Sequence, residues 1–268
     1  MNEHLIFTRI NSGKSPDFGD VFSKSIDLFK KVWIQGFIHL LLNFVVLVPL
    51  IIALYALIAV TGLSIFGASA LLDGVDNSSE ISSVAGTTMS FFTGAMLTLV
   101  FILFSFLAYA VQFAIRAHFY KVCKQTDLGE PVSTDYFFYF KKGYLKKLTL
   151  LSVCYFLILA ISSALCFLPV LYAIIPLQFF GVIFAFNPEL EVKDIVKAGF
   201  VFGNKVWGIS FGLLILSGLL AYIIGILACG IGLYFTISFM FIPVYYLYKE
   251  GIGFPDDTIT DLSEPSTF

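Results

Sequence analysis

Charged residues are scarce in this sequence and are missing altogether from three long stretches. Only 13% of its 268 residues are Asp, Glu, Lys or Arg, whereas 59% are hydrophobic. A soluble domain carries roughly 25% charged residues. Residues 32–72, 148–188 and 206–248 contain no charged side chain. The composition therefore excludes a soluble globular domain and predicts an all-α integral membrane protein.

The residue types that build metal sites and nucleophilic active sites are also few. The three histidines, His4, His39 and His118, lie far apart in sequence and are expected to be far apart in the fold. There is no HExxH pair, no CxxC pair, no hydrolase elbow and no paired-carboxylate motif. We therefore expect no catalytic residue, no metal, no cofactor and no enzymatic activity. The four cysteines are expected to act as small hydrophobic residues, and a Cys166–Cys229 disulfide is the less favoured alternative.

The lengths of the uncharged stretches predict six membrane spans, because one span needs about 20 apolar residues. Residues 148–188 and 206–248 each have the length of two spans, with turns at 167–169 and 229–232. Residues 32–72 are expected to hold one span that contains Pro49 and ends near Thr61-Gly62. A polar loop at 73–86 and a second span at 90–115 follow. These spans form three hairpins.

The segment before the first span is amphipathic. Its apolar residues recur at helical spacing, and its polar residues occupy the opposite face. The apolar stripe is Phe22, Ile26, Phe29 and Trp33, and the polar face is Asp20, Ser23, Lys24, Asp27, Lys30 and Lys31. A helix of this kind, joined to a span, is predicted to lie in the membrane interface.

This amphipathic segment recurs along the chain. A shift of 174 positions aligns residues 20–33 with 194–207 and superimposes the only two tryptophans, Trp33 and Trp207. A weaker copy begins at Asp135. The predicted repeat units are 16–124, 131–187 and 188–250, each with an amphipathic helix before its hairpin. Ser133 is the expected N-cap of the second such helix, and Asn187-Pro188-Glu189 is the expected start of the third.

The basic residues set the orientation. On this layout all 16 Lys and Arg residues lie on one side of the membrane, so both termini are predicted to be cytoplasmic. The membrane domain covers 16–250, between a polar N-terminal segment at 1–15 and an acidic, solvated tail at 251–268. The expected location is the cytoplasmic membrane.

Polar residues inside the first two spans are the candidate functional site. Gln35, His39 and Asn43 form a stripe at i, i+4 and i+8, and Gln112 and Arg116 form a similar pair that could meet it. The stripe either lines a cavity that binds a head group or a solute, or hydrogen-bonds neighbouring helices. We favour the second alternative, because polar residues commonly join helices in membranes.

Two pairs of glycines at i, i+4 spacing predict close helix packing. They are Gly199 with Gly203 and Gly208 with Gly212. Such spacing is common in membrane helices that contain glycine, so the pattern alone does not identify which pair makes a contact.

The repeated unit resembles a bacterial family. Residues 19–25, residues 194–207 and the prolines Pro176 and Pro243 in even-numbered spans are similar to six-span proteins grouped with the membrane domain of glycerophosphodiester phosphodiesterases and with the YciC-like proteins. The resemblance covers about residues 16–250 and implies a six-span fold. The phosphodiesterase activity does not carry over, because the chain has no appended soluble domain. The abundance of phenylalanine, and of lysine over arginine, also resembles membrane proteins of Bacteroidetes.

The function expected from these features is a non-enzymatic scaffold that organises lipids or partner proteins. The alternative is a permease or flippase-like transporter that uses the Gln35, His39 and Asn43 stripe. Membrane lipids and an unidentified membrane or cytoplasmic protein are the expected partners. Nucleic acid is not, because the aromatic and basic residues at 136–142 fit a membrane interface with fewer assumptions.

Overall fold

The chain is helical throughout the part that the computed structural model describes, which comprises residues 3–73, 80–140, 143–165, 168–228, 230 and 232–255. Those residues include no β-strand. The α-helices are α1 (Glu3–Ser12), α2 (Phe18–Asp73), α3 (Glu80–Asp127), α4 (Tyr144–Ala164), α5 (Leu168–Phe186), α6 (Val192–Lys205), α7 (Trp207–Leu227), α8 (Leu233–Thr236) and α9 (Ile242–Gly251). Two 3₁₀ turns occupy Phe138–Phe140 and Ile237–Phe241.

Five of these helices are long and apolar enough to cross a membrane. The five segments are Phe18–Ala59 of α2, Phe91–Asp127 of α3, and the whole of α4, α5 and α7. Their lengths and hydropathy are compatible with a multi-pass membrane protein, as the composition predicted. The sixth predicted span is divided in the structure, because α8, the 3₁₀ turn Ile237–Phe241 and α9 follow one another as short pieces. Pro243, which has no backbone N–H to donate, lies in the first turn of α9.

Helical contacts divide the chain into two compact units, Met1–Asn43 with Ala110–Phe268, and Phe44–Tyr109. The second unit holds the later part of α2 and the earlier part of α3, and many of its large apolar side chains are exposed. α2 continues as a helix past Thr61-Gly62, the predicted end of the first span, and ends at Asp73. An apolar solvent cannot satisfy backbone polar groups, so continuing the helix is favoured. α3 likewise begins at Glu80, inside the predicted polar loop.

The amphipathic start of α2 buries a different face from the predicted one. Val21, Ser25, Leu28 and Val32 are the buried residues, one position before each member of the predicted apolar stripe. The stripe itself packs on protein: the Phe29 ring lies 5.3 Å from that of Phe239. Trp33 meets the edge of the Phe235 ring at 5.8 Å, and Phe37 stacks on that ring at 4.3 Å. The predicted polar face is exposed. This part of α2 therefore packs against the segment that includes α8 rather than lying alone in the interface.

The second predicted amphipathic helix is absent from the described part of 128–143. Its only regular structure is the 3₁₀ turn Phe138–Phe140, and the backbone N–H of Ser133 donates to Gln125 Oε1 instead of starting a helix. The buried Tyr139 hydroxyl donates to the Ala185 carbonyl at 2.8 Å, and burial raises the pKa of that phenol. Gly143 adopts φ +76° just before α4. A buried tyrosine needs this partner, and reaching it directs the chain away from a helical path.

The third amphipathic helix is present as α6, but it begins at Val192 rather than at Pro188. Asn187 does not cap it, because its amide donates to the Ile183 carbonyl at 3.2 Å and to the Tyr248 hydroxyl at 2.7 Å. α6 packs against α5. A single residue, Val206, separates α6 from α7, whereas the corresponding part of α2 is continuous.

The described residues near the two chain ends are packed and contact one another. The predicted polar segment 1–15 contains α1, which buries Ile6 and Ile10 and contacts α6. Arg9 donates to the Phe254 carbonyl at 2.7 Å, and Lys205 donates to the Ile10 carbonyl at 2.6 Å. Ile252 and Phe254 are buried, so the start of the predicted solvated tail is packed. The rest of that tail, 256–268, lies outside the described residues.

Candidate functional site

Two buried histidines meet between α2 and α3. His39 Nε2 lies 2.7 Å from His118 Nδ1, and the ring centroids are 5.0 Å apart with an interplanar angle of 25°. His39 is 5% exposed and His118 is 0% exposed. The expectation that the histidines are far apart is therefore wrong for this pair, which is separated by 79 residues in sequence.

The neighbours of the pair fix which ring nitrogens carry hydrogen. His39 Nδ1 lies 2.6 Å from the Gln35 backbone carbonyl. Because a carbonyl oxygen only accepts, His39 Nδ1 carries the proton, and a neutral His39 presents a lone pair at Nε2. His118 Nδ1 must then donate its N–H to that lone pair. A neutral His118 is left with a lone pair on Nε2, which is buried and meets no hydrogen-bond partner among the described residues.

Aromatic rings enclose the two imidazoles. Tyr136, from the connection between α3 and α4, places its ring 5.4 Å from His39 and 5.0 Å from His118. Its hydroxyl donates to Gln35 Oε1 at 3.3 Å. The Phe119 ring lies 5.3 Å from His39. We call Gln35, His39, His118 and Tyr136 the histidine cluster.

The structure brings together part of the predicted site. Gln35 and His39 belong to the histidine cluster, and the amide of Asn43 donates to the His39 carbonyl at 3.0 Å. Arg116 does not join them: its guanidinium carbon lies 4.6 Å from the centroid of the Phe241 ring. His118, two positions later, points about 200° away around the helix, toward α2.

Gln112, the partner proposed for Arg116, is half-buried one turn earlier on α3. The sequence predicted that the polar stripe of α2 meets the face of α3 that carries Gln112 and Arg116. It missed His118 and Tyr136, and no local spacing could have paired residues so distant in sequence.

A second polar cluster joins the end of α3 to α9. The carboxylate of Asp127 accepts hydrogen bonds from Tyr245 at 2.8 Å, from Tyr246 at 2.9 Å and from Lys249 at 2.6 Å. These three donors occupy both carboxylate oxygens, so the cluster has the character of a structural tie. The sequence around Asp127 did not predict this cluster.

An apolar groove lies between α2 and α7. It has a volume of about 200 Å³ and opens on one side. The lining residues are Ile26, Phe29, Lys30, Leu220, Ala221, Ile224, Thr236 and Phe239. Its walls suit an apolar group such as part of an acyl chain.

Other chemistry predicted from sequence has limited bearing on this site. In the parts of the chain described above, no three His, Cys, Asp or Glu side chains cluster as metal ligands. Cys123 and Cys154 are free thiols. Cys166 and Cys229, the proposed disulfide pair, lie outside the described residues.

No protein-family model, no curated protein and no solved structure matches the chain.

Proposed function

We propose that this chain is a bacterial integral membrane protein that acts as a non-enzymatic scaffold, organising lipids or a partner protein at its cytoplasmic face. Six spans in three hairpins, with both termini cytoplasmic, form part of this proposal. So does membership of the family related to the YciC-like proteins and to the membrane domain of glycerophosphodiester phosphodiesterases. The repeat of 20–33 at 194–207 supports that relation, because both copies begin helices that lead into apolar segments.

The observation that carries the scaffold proposal is the way the polar stripe of α2 is used. Gln35 accepts from Tyr136, His39 pairs with His118, and Asn43 donates to the His39 carbonyl. Gln35 and His39, which would have to face a solute in a transporter, instead join α2 to the connection after α3 and to α3 itself, whereas the Asn43 hydrogen bond stays within α2. Hydrogen bonds of this kind each contribute about 0.6 kcal/mol to helix association in membranes.

The exposed face of α2 is the proposed docking surface. Lys30 and Lys31 are exposed there, close to a predicted membrane surface that is rich in anionic lipids. Lys24, on the same face, contacts Glu250 at 2.8 Å and so also ties α2 to α9. Substitutions that test docking should therefore change Lys30 and Lys31 and leave Lys24 in place.

The docking experiment is recovery of crosslinked partners from native membranes. We expect the double variant Lys30→Gln/Lys31→Gln to recover less of any partner than the wild type does. Lys193→Gln is the matched control, because Lys193 is an exposed lysine at the start of α6. Equal recovery by the wild type and the double variant would remove this face from the proposal.

Transport is the competing function, and the apolar groove is the observation that favours it. A flippase for a lipidic solute could use such a groove, so the purified chain should be tested in liposomes with a fluorescent phospholipid and with small solutes. The scaffold proposal expects no flux above that of empty liposomes.

Two variants make the liposome experiment decisive. Flux that is lost in His39→Ala, or in Ala221→Phe, would overturn the scaffold proposal. Leu219→Phe is the control for the groove, because Leu219 is exposed beside it and does not line it.

A further inference from the structure

We propose that His39 and His118 form a binding site for a single proton, which enters on His118 Nε2, and that the connection between α3 and α4 responds to it. The site does not depend on the scaffold role. It rests on the geometry of the pair, on the burial of both rings and on the contacts of Tyr136.

The first step is the order of donors along the pair. The Gln35 carbonyl holds the hydrogen of His39 on Nδ1, and His39 Nε2 in turn holds the hydrogen of His118 on Nδ1. Both neutral rings are therefore Nδ1–H tautomers. The chain of hydrogen bonds ends at His118 Nε2, whose lone pair is the only basic nitrogen in the pair that is not already accepting a hydrogen.

The second step is the number of protons. A proton from bulk water forms an N–H bond with the lone pair of His118 Nε2, and no other bond breaks. The hydrogen between the rings can then lie nearer either nitrogen, so the two rings share one positive charge. A second proton would need the His39 Nε2 lone pair, which would place two N–H groups against each other across 2.7 Å. The pair therefore takes up one proton and not two.

The third step is the surroundings of the added charge. Lys121 on α3 and Asp135 on the connection are the charged groups that act on His118. A buried charge needs a partner, and the carboxylate of Asp135 is the group of suitable sign. Tyr136, the next residue, packs its ring on both imidazoles. A charge on the pair thus changes the contacts of two consecutive residues of the connection.

The experiment uses the full chain in lipid nanodiscs with ¹⁵N-labelled histidine. His4 is exposed, so His4→Gln should not disturb a packed residue. In that background His39 and His118 are the only histidines, and the ¹⁵N signals report on the pair alone. At neutral pH we expect both rings to be Nδ1–H tautomers. As the pH falls from about 8 to about 3, the two rings should change together and gain one proton in total.

Two variants separate the proton site from a merely structural pair. His118→Asn keeps an amide N–H where Nδ1 stood, so it can still donate to His39, but it lacks the basic nitrogen. It should take up no proton at the pair. His39→Gln keeps an acceptor for His118 Nδ1 and should still take up one.

Hydrogen exchange measures the coupling to the connection. At the same acidic pH, the amides of 128–140 should exchange at different rates in the wild type and in His118→Asn, and the difference should vanish at neutral pH. Equal rates at both values would refute the coupling. An Nε2–H tautomer on His118 at neutral pH, no uptake over this range, or uptake of two protons would each overturn the proton site.

Discussion

Replacement of Gly203 by alanine tests the packing of α6 on α5. A Cβ atom built on Gly203 would lie 2.7 Å from the Cα of Pro176 and 3.1 Å from its ring carbon Cγ. Pro176 is buried in the middle of α5, where its backbone cannot move away without displacing the helix. Overpacking of this kind costs about 1–3 kcal/mol. We therefore expect Gly203→Ala to weaken the association of α6 with α5.

Gly208 offers a matched control on the next helix. A Cβ atom there would meet nothing within 4 Å. Both changes add one methyl group, and both gain up to about 1 kcal/mol of helix propensity. The difference between the two variants therefore isolates the packing penalty. Gly203→Ala should be less stable than Gly208→Ala by about 1–3 kcal/mol.

The assay can follow Trp207, whose indole N–H donates to the Tyr172 carbonyl of α5 at 3.2 Å. In a Trp33→Phe background, Trp207 is the only tryptophan, so its fluorescence reports the separation of the start of α7 from α5. Unfolding is measured by raising the SDS fraction in mixed micelles. If Gly203→Ala and Gly208→Ala lose the native signal at the same SDS fraction, the close contact of α6 with α5 does not exist as described.

Three further predictions concern the tie at Asp127, the chain ends and the topology. Asp127→Asn should lower the free energy of unfolding by about 1–3 kcal/mol in the same SDS titration, because it removes a charged acceptor shared by three donors. Asp27→Asn, at an exposed ion pair, should leave it nearly unchanged, because solvent screens that pair. Lys205→Met should speed proteolysis within α1 by removing a donor to its last carbonyls, whereas Lys193→Met should leave the rate unchanged. A reporter inserted at 73–80 should be accessible only from outside the cytoplasm, and a cytoplasmic signal would contradict the orientation.

Composition predicted the helical membrane character, because the absence of charge over long stretches leaves few alternatives. It was less informative about where helices end. α2 runs past Thr61-Gly62, and no charged residue or proline interrupts it before Asp73. The sixth apolar stretch has the composition of a span, yet the structure divides it near Pro243. Hydropathy measures how well a segment suits lipid, and it does not report whether its backbone remains one helix.

The two glycine pairs show a related limit of predicting helix contacts from sequence spacing. Both pairs have identical spacing, but the surroundings of their first members differ. A Cβ on Gly199 would meet the Phe180 ring at 2.6 Å, whereas one on Gly208 would meet open space. The spacing places two small residues on one helix face. Whether another helix approaches that face depends on contacts made elsewhere in the chain.

The histidine cluster was only half predictable for the same reason. The spacing of Gln35, His39 and Asn43 predicted that they share one face of α2. In the structure all three side chains make hydrogen bonds at that face. The residues that meet them, His118 and Tyr136, come from a different helix and from a connection that was predicted to be helical. A helix at 133–143 would have directed the Tyr136 side chain by helical periodicity rather than by the position of its partners.

Burial of both imidazoles limits what the histidine cluster can bind. A solute site needs polar atoms that remain available. Here Gln35 Oε1 accepts from Tyr136, and the two ring nitrogens of His39 bond to the Gln35 carbonyl and to His118. Two buried atoms here have no hydrogen-bond partner among the described residues: His118 Nε2, at the end of the chain of hydrogen bonds, and the amide oxygen of Asn43. The lone pair of the buried His118 Nε2 can accept a proton but cannot by itself orient a larger ligand. The same contacts that argue against a transport path therefore leave a site of the size and polarity of a single proton.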